Sequence, residues 1–345
     1  MSLFTTALQR VIAGKSLEED EAFDLMLEIL HGKLQPEQIA GLLTALATKG
    51  ESLPEVRGFV RAMRSMATYL HTDLPVVDTC GTGGDGAHTF NISTTSAFVV
   101  AGAGVPVAKH HNRSVSSRSG SADLLEKLDI DIQMPLKEVE RCVNEEGIGF
   151  CFAPLFHASM RHAAPARKAL GVRTIFNILG PLLNPFIARR QVIGVFSAER
   201  QHFIAELLRD LGSERVLVLH GNDGLDEATL TDTTRVVELI NDDIREYTLD
   251  PRALGFKLVE SMDLVGGDAD HNAHITRRIL AGKRGPQLDI VILNSALAIY
   301  AGQDDITLEK AVDLARESVL SGAARQKLER LVEISRHTQP EMKVA

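Results

Sequence analysis

The sequence contains no tryptophan and only three tyrosines among its 345 residues. Proteins that bind single-stranded nucleic acids stack the bases on aromatic side chains, so this scarcity removes most of the surface that such binding uses. Basic charge is also short: 37 Lys and Arg stand against 46 Asp and Glu, which gives a net charge of −9. We therefore expect no nucleic-acid partner, although a local basic patch can still bind a small anion.

Cysteine is scarce as well. Cys80, Cys142 and Cys151 are an odd number and show neither a Cys-x-x-Cys pair nor a Cys/His ligand spacing. The sequence therefore predicts free thiols rather than a disulfide framework or a zinc site. It also lacks an uninterrupted apolar run of about 18 residues, and its N-terminal residues lack the apolar core of a signal peptide. We expect a cytoplasmic protein without a membrane segment.

The composition that is present is that of a globular chain. Apolar residues make up 44% and charged residues 24%, which excludes a disordered protein. At roughly 150 residues per domain, the length indicates about two domains or one large one.

Helical spacing of apolar residues dominates the first part of the chain. Ser16 and Glu19 have the spacing of a capping box ahead of one helix. Pro36 begins a second helix, and Ser52 with Glu55 begins a third. These patterns predict a small, all-helical domain.

From Leu74 onward, short apolar segments alternate with helical stretches, which predicts βαβ units and a mainly parallel sheet flanked by helices. Two further segments, joined across residues 241–243, predict an added antiparallel hairpin. The fold class is therefore α/β, with the small helical domain beside a larger sheet-containing one. The predicted strands are Pro75–Asp78, Val105–Lys109, Gly149–Phe152, Gln191–Phe196, Val216–His220, Ile290–Leu293, Arg235–Ile240 and Ile244–Thr248.

A glycine-rich run, residues 81–86, follows the first predicted strand. Ligands of parallel sheets bind at the carboxyl ends of strands, and backbone N–H groups without a neighbouring Cβ suit an anion. The run also fits the dinucleotide pattern GxGxxG, but the second strand ends in Lys109-His110, where a ribose-binding acid would be expected. A Walker loop is excluded because no Gly-Lys-Ser/Thr follows the glycines.

Further polar residues follow the same strand ends. Ser93 and Thr94 can cap an apolar helix over residues 97–101, whose N-terminus attracts phosphate. Residues 109–121 contain three cationic side chains and five serines, which indicates a compact anion with several phosphate groups. Asp226 and Glu227 follow another strand and could hold Mg²⁺ against phosphate oxygens.

Arginine and histidine recur at helical intervals between His157 and Arg167. A fixed Arg there suits bidentate binding of a carboxylate, and a solvated helix face is the alternative interpretation. Pro165 would kink this run or start a new turn.

In order and spacing, these residues resemble the anthranilate phosphoribosyltransferase family, a nucleoside phosphorylase-like class of phosphoribosyltransferase. The likeness runs over nearly the whole chain, including the helical N-terminus. The matching segments are GTGGDG at 81–86, NIST at 91–94, KHHNRSVSSRSGSADLL at 109–125, FAPLFHASMRHAAPARKALGVRTIFNILGPLLNP at 152–185 and HGNDGLDE at 220–227.

The resemblance implies a helical domain over residues 1–72 plus roughly 165–180, and an α/β domain over 73–164 and 181–345. It implies an active site in the cleft between the domains and a homodimer formed through the helical domain. The implied reaction belongs to tryptophan biosynthesis. It transfers the 5-phosphoribosyl group from 5-phosphoribosyl 1-diphosphate (PRPP) to the amine of anthranilate, giving N-(5-phosphoribosyl)-anthranilate and diphosphate. Mg²⁺ is the implied cofactor, with two ions per subunit.

Carried over by position, the resemblance also implies site residues. The residues for PRPP are Gly81, Gly84, Asp85, Thr89, Asn91, Ser93, Thr94, Lys109, Ser117 and Ser121. Those for anthranilate are Gly81, His110, Asn112, His157 and Arg167, and those for Mg²⁺ are Ser93, Asp226 and Glu227. No covalent nucleophile is implied. The amine of anthranilate is largely unprotonated at neutral pH, so we expect catalysis by charge stabilisation and positioning.

One residue departs from the family pattern. Members commonly read Lys-His-Gly-Asn-Arg, and here His111 stands at the glycine position. If that position needs a positive φ, histidine is among the less costly replacements but still costs conformational energy.

Three other functions fit parts of the sequence. A pyrimidine-type nucleoside phosphorylase also reacts at a ribosyl C1, but it would not need the paired acids Asp226 and Glu227. A non-catalytic relative that binds nucleic acid is opposed by the net charge of −9 and the lack of Trp. A nicotinamide-dependent dehydrogenase has only the glycine pattern in its favour.

Overall fold

The computed structural model describes residues 2–83, 85–113 and 119–338. The chain divides into two compact units. A helical unit comprises Met1–Tyr69 and Ala153–Pro185, and an α/β unit comprises Leu70–Phe152 and Phe186–Ala345. Among the helices in these ranges, none has the length and apolar character needed to cross a bilayer.

The helical unit buries one apolar face of each long helix. Its helices are α1 (Leu3–Ile12), α2 (Glu19–Leu30), α3 (Pro36–Lys49), α4 (Leu53–Ser65), α8 (Ala153–Phe156), α9 (Ala164–Leu170) and α10 (Ile175–Leu179), with 3₁₀ turns at Ala158–His162 and Gly180–Leu182. Pro36 begins α3 and the Ser52–Glu55 capping box begins α4, as predicted. Pro165 lies in the first turn of α9, so it starts a new helix.

The predicted capping box at Ser16 and Glu19 is wrong. The N-cap of α2 is Glu18, which has an extended backbone. Its side chain faces the backbone N–H of Glu21, and its own backbone N–H donates to the side chain of Glu21. The box is therefore displaced by two positions, because glutamate supplies a capping oxygen just as serine does.

A seven-stranded sheet forms the centre of the α/β unit. Its strands are β1 (Val77–Gly81), β2 (Val107–His111), β3 (Ile148–Phe152), β4 (Arg190–Gly194), β5 (Arg215–Gly221), β6 (Thr234–Ile240) and β7 (Asp243–Leu249). The order is β3-β2-β1-β4-β5-β6-β7, with β1 to β5 parallel and β6 and β7 antiparallel. The mainly parallel sheet and the added hairpin are thus confirmed.

Helices flank this sheet. They are α5 (Ile92–Gly102), α6 (Ser121–Lys127), α7 (Leu136–Arg141), α11 (Arg200–Asp210), α12 (Ala269–Leu280), α13 (Pro286–Gly302), α14 (Leu308–Leu320) and α15 (Ala323–Thr338). Helices α5 and α13 pack on each other and on the central strands, and α11 packs on β5 and β6. In the hairpin, Asn241 and Asp242 have φ of 49° and 70°, as a two-residue type I′ turn requires.

Three sequence predictions are corrected here. Ile290–Leu293 is not a strand but part of α13, because a helix buried on all sides shows an apolar run without helical periodicity. Helix α5 begins at Ile92 with Asn91 as N-cap, so Ser93 and Thr94 lie inside its first turn instead of capping it. Strands β1 and β2 extend to Gly81 and His111, beyond the predicted ends.

Candidate active site

The sheet places the candidate site where the strand order reverses. From β1 the chain adds β2 and β3 on one side, then returns to β4 and β5 on the other. Such a reversal opens a crevice at the carboxyl ends of the two central strands, here β1 and β4. Gly81 ends β1 and Gly194 ends β4, and these two glycines are paired in register.

Asp226 lies directly against that pair of glycines. Gly83 N donates a hydrogen bond to Asp226 Oδ2 at 2.8 Å. A Cβ on Gly81 would lie 2.7 Å from the same oxygen, and a Cβ on Gly194 would overlap the backbone carbonyl of Asp226. Glycine at both strand ends therefore gives Asp226 its place beside the glycine run.

The acids at this edge repel one another. Asp226 N donates to Asp85 Oδ2 at 3.5 Å, which brings the two residues together. Burial raises the pKa of Asp226 well above its usual range, and the charges of Asp85 and Glu227 raise it further. A cation bound among these carboxylates would offset both effects.

Glu227 turns toward the N-terminus of α5. Its Oε1 accepts a hydrogen bond from Ser93 N at 3.1 Å. Burial raises the pKa of Glu227 to about 7, against the opposing effects of Lys109 and Ser93. Lys109 is 2% exposed, and its Nζ donates to Ser93 Oγ at 3.2 Å and to the carbonyl of Thr79. Ser93, Glu227 and Lys109 thus form one connected cluster.

The donor set at these residues suits Mg²⁺. Two carboxylates and a serine hydroxyl are hard oxygen ligands, and Mg²⁺ is typically bound by one or two carboxylates together with substrate phosphates and waters. Over residues 2–83, 85–113 and 119–338, no three His, Cys, Asp or Glu side chains converge as a complete metal centre. The arrangement fits an ion that shares its ligands with a bound phosphate group.

The first turn of α5 holds further predicted residues. Thr94 Oγ1 and Ser121 Oγ are 3.0 Å apart, which joins α5 to α6. Asn91 Nδ2 donates to the carbonyl of Ser119 at 3.2 Å. Thr89 forms an isolated antiparallel bridge with Val265. The positive end of this 11-residue helix favours an anion here.

The end of β2 carries the remaining predicted residues of the α/β unit. His110 is buried, and its backbone N donates to Asp78 Oδ1 at 3.2 Å. Asn112 is exposed just after the strand, and its Oδ1 accepts from Arg113 N at 2.8 Å. Gly84 and Ser117, both predicted for PRPP, lie outside the described residues.

His111 does not have a positive φ. It is the last residue of β2, in extended backbone, so histidine meets no left-handed strain at this position. The ring is buried and lies 5.6 Å from the Phe152 ring and 6.0 Å from the Phe150 ring. Burial, with the charges of its neighbours, lowers the pKa of His111 well below its usual value. The side chain therefore packs as a neutral aromatic group.

The predicted basic loop is partly neutralised. Arg113 forms ion pairs of 2.7 Å with both Asp123 and Glu126. These two acids of α6 compensate its positive charge, which weakens its attraction for an anion. Lys109 belongs to strand β2 and not to a loop, and it is tied to Ser93 and Thr79.

His157 and Arg167 belong to the helical unit. His157 Nε2 lies 3.0 Å from the carbonyl of Leu183, and burial lowers the pKa of His157. Arg167, on α9, places its guanidinium carbon 5.0 Å from the centre of the Phe176 ring, and burial lowers its pKa. The Phe176 ring therefore lies within cation–π range of the guanidinium, whose planar group can bind a carboxylate through two hydrogen bonds.

Two buried asparagines that the sequence patterns did not single out contact a predicted residue or the neighbour of one. Asn272 donates to Asn91 Oδ1 at 3.0 Å and accepts from Gly267 N at 2.8 Å. Asn294 pairs with the backbone of Ala228, directly after Glu227. For Asn294 the available signal was a polar residue inside the apolar run of α13. Asn272 lies among polar and charged residues of α12, where an asparagine does not stand out. A groove of about 630 Å³ elsewhere on the α/β unit is lined by residues of α12 and α15 and contains none of the site residues.

Comparison with known proteins matches both units. Residues 73–325 match the glycosyl transferase family a/b domain, and residues 5–67 match the glycosyl transferase family helical bundle domain. The chain is 48% identical over 330 residues to the anthranilate phosphoribosyltransferase of Acetivibrio thermocellus, covering 95% of this chain and 96% of that protein.

Solved structures agree with this match. The crystal structure of anthranilate phosphoribosyltransferase from Thermus thermophilus superimposes with a TM-score of 0.90 at 45% identity, covering 96% of this chain and 99% of that one. The Saccharomyces cerevisiae enzyme in complex with PRPP and Mg gives a TM-score of 0.89 at 27% identity, over 97% and 98% of the two chains. The same yeast enzyme has also been solved with 4-fluoroanthranilate.

Sequence identity near one half over almost the full length, with the same two-part architecture, leaves one assignment. The chain belongs to the anthranilate phosphoribosyltransferase family.

Proposed function

We propose that this chain transfers the 5-phosphoribosyl group of PRPP to the amine of anthranilate, releasing diphosphate. The observation that carries the proposal is the placement of Asp226 and Glu227. One acid lies against the glycine run after β1, and the other lies at the N-terminus of α5. Carboxylates placed at a glycine run and at the positive end of a helix suit a substrate that carries diphosphate together with Mg²⁺.

Each part of PRPP has a matching group in this arrangement. The backbone N–H groups around Gly83 and the first turn of α5 would bind phosphate oxygens. Asp226, Glu227 and Ser93 would hold Mg²⁺, which when bound supplies positive charge against the diphosphate. We take two ions per subunit from the family resemblance. The other residues assigned to PRPP are Gly81, Gly84, Asp85, Thr89, Asn91, Thr94, Lys109, Ser117 and Ser121.

The acceptor would be held by residues that position it. The family resemblance assigns to anthranilate Gly81, His110, Asn112, His157 and Arg167. Arg167 would bind the carboxylate of anthranilate through its planar guanidinium. The amine needs no strong base, so these residues would align it with the ribosyl C1 and exclude water.

The decisive experiment is a product assay. Purified protein is mixed with PRPP, Mg²⁺ and anthranilate, and the loss of anthranilate fluorescence is followed, with the product identified by mass. The protein has no tryptophan, so its own emission is low. We expect fluorescence loss that requires both PRPP and Mg²⁺. Folded protein that shows no loss, or that instead releases a base from a nucleoside and phosphate, would refute the proposal.

From the same resemblance we propose that the enzyme is cytoplasmic and forms a homodimer through its helical unit. Light scattering during size-exclusion chromatography measures the mass directly, and a value of one 37.6 kDa chain would contradict the dimer.

A further inference from the structure

A single buried amide holds the backbone directly after the two acids. Asn294 lies on α13 and is 3% exposed. Its Oδ1 accepts from Ala228 N at 2.9 Å, and its Nδ2 donates to Ala228 O at 2.9 Å. Hydrogen bonds to both the N–H and the C=O of Ala228 fix the position and the orientation of its backbone. A residue on a neighbouring β-strand bonds to both groups in the same way.

The helix gives this amide a rigid base. Helix α13 is buried along most of its length and packs on β1, β4 and β5. A buried amide costs free energy unless it is hydrogen-bonded, and asparagine is a poor helix former. Asn294 Nδ2 also donates to the carbonyl of Ile290, one turn earlier in α13, at 2.9 Å. That carbonyl belongs to the same helix, so the two bonds to Ala228 are what this amide adds outside α13.

The acid segment is thus held at two ends. On one side, the carbonyl of Asp226 lies against Gly194. On the other, Ala228 is bonded to Asn294. Glu227 is the single residue between these points, so its carboxylate and that of Asp226 project from backbone that has little freedom to move.

Asp223 acts differently in the same loop. Its Oδ1 accepts from Leu225 N at 3.1 Å and its Oδ2 accepts from Thr229 Oγ1 at 2.6 Å. These bonds set the shape of the loop from within, whereas Asn294 attaches the loop to the helix behind it.

We propose that Asn294 is a positioning residue for divalent-cation binding: it fixes Ala228, and through it the carboxylates of Asp226 and Glu227. This inference rests on the proposed function for the identity of the reaction. Residues that orient metal ligands typically change metal affinity or activity by about 10- to 100-fold when they are replaced.

The test compares Asn294→Ala and Asn294→Leu with the wild-type protein. The probe is Mn²⁺, titrated into each protein at a fixed concentration of diphosphate, which supplies the phosphate oxygens that the site shares with the ion, and followed by electron paramagnetic resonance. The Mg²⁺ dependence of the transferase rate is measured in parallel. Alanine leaves room for water to satisfy the Ala228 backbone, which keeps the fold accessible. Thermal unfolding checks that each variant is folded.

We expect both variants to bind Mn²⁺ about 10-fold or more weakly, with a matching rise in the Mg²⁺ concentration for half-maximal rate and partial recovery at high Mg²⁺. Gln201 is the matched control: it is a buried amide on α11 that donates to the carbonyls of Val218 and Arg235. Gln201→Leu should lower the unfolding temperature but leave Mn²⁺ affinity unchanged.

A folded Asn294→Ala protein with wild-type Mn²⁺ affinity and Mg²⁺ dependence would overturn the inference. The same loss of Mn²⁺ affinity in Gln201→Leu would also overturn it, since the effect would then follow stability alone. Failure of the proposed function looks different: the wild-type protein itself would form no product, whatever its Mn²⁺ affinity.

Discussion

Gly81 and Asp226 meet across the end of the sheet so closely that a Cβ on Gly81 would lie 2.7 Å from Asp226 Oδ2. The glycine is not needed for a positive φ; it is needed for space. The same holds for Gly194, its partner in register on β4.

This contact gives a first prediction, for Gly81→Ala. The added methyl group would turn the Asp226 carboxylate away from Gly83 N, because a side chain can rotate out of its way. We expect Mg²⁺-dependent turnover to fall by about 10- to 100-fold, with little change in thermal unfolding. Gly194→Ala is the comparison, since its methyl group would meet the backbone of Asp226. That variant should lose both activity and stability. Wild-type kinetics in Gly81→Ala would contradict this account.

The acids themselves give a second prediction. Replacing Asp226 and Glu227 by Ala should abolish Mg²⁺-dependent turnover. The isosteric pair Asp226→Asn and Glu227→Gln should also lose it, without a fall in unfolding temperature, because the raised pKa of both acids means that the fold disfavours their charge. Rates are measured across a range of Mg²⁺ concentrations. Near-normal activity at low Mg²⁺ would show that the acids do not bind the cation.

Arg167 carries a third prediction. Arg167→Ala should raise the KM for anthranilate and leave the KM for PRPP nearly unchanged, because the proposed partner of the guanidinium is the carboxylate of anthranilate, which it can bind through two parallel hydrogen bonds. Lys168→Ala removes an exposed cation from the next position of the same helix and should change neither constant. Steady-state kinetics with each substrate varied in turn decide the matter. A selective rise in the KM for PRPP would contradict the role in anthranilate binding and indicate that Arg167 binds PRPP.

The thiols give a fourth prediction, on pH. Burial raises the pKa of Cys142 to about 11 and raises the pKa of Cys80 and Cys151 as well. A thiol with a pKa of about 11 has roughly one thiolate in a thousand at pH 8, and the thiolate is the reactive form. The native protein should therefore react slowly with a disulfide reagent up to about pH 9. All three cysteines should react at once in denaturant. Fast reaction of the native protein at pH 7 would contradict the raised pKa of these thiols.

The parts of the fold that were predictable are those that local patterns determine. Pro36 and the Ser52–Glu55 box marked true helix starts, and the two segments joined across residues 241–243 form a true hairpin, although Asp243 already belongs to β7. The 290–293 segment failed because a helix that is buried all round has no polar face to reveal its period. Over four residues such a helix looks like a buried strand, and only the length of the whole apolar run, which continues to Gly302, separates the two.

The candidate site was predictable as far as its residues follow strand ends. Gly81, Asp226 and Glu227 were placed there by sequence, and the structure brings them together. Asn294 was not found, because it is 66 residues from Ala228 along the chain and the two meet only through the tertiary packing of α13. The assignment of His157 and Arg167 to anthranilate comes from the family resemblance, because their helical spacing alone also fits a solvated helix face.

The two edges of the sheet differ in a way that bears on aggregation. Strand β3 is buried along its whole length, while β7 exposes charged side chains at Asp243, Arg245 and Glu246. An open edge strand invites strand addition by another chain, and charges along it oppose that addition. The charged hairpin at this edge therefore opposes the addition of strands from other molecules, which would otherwise extend the sheet between chains at high protein concentration.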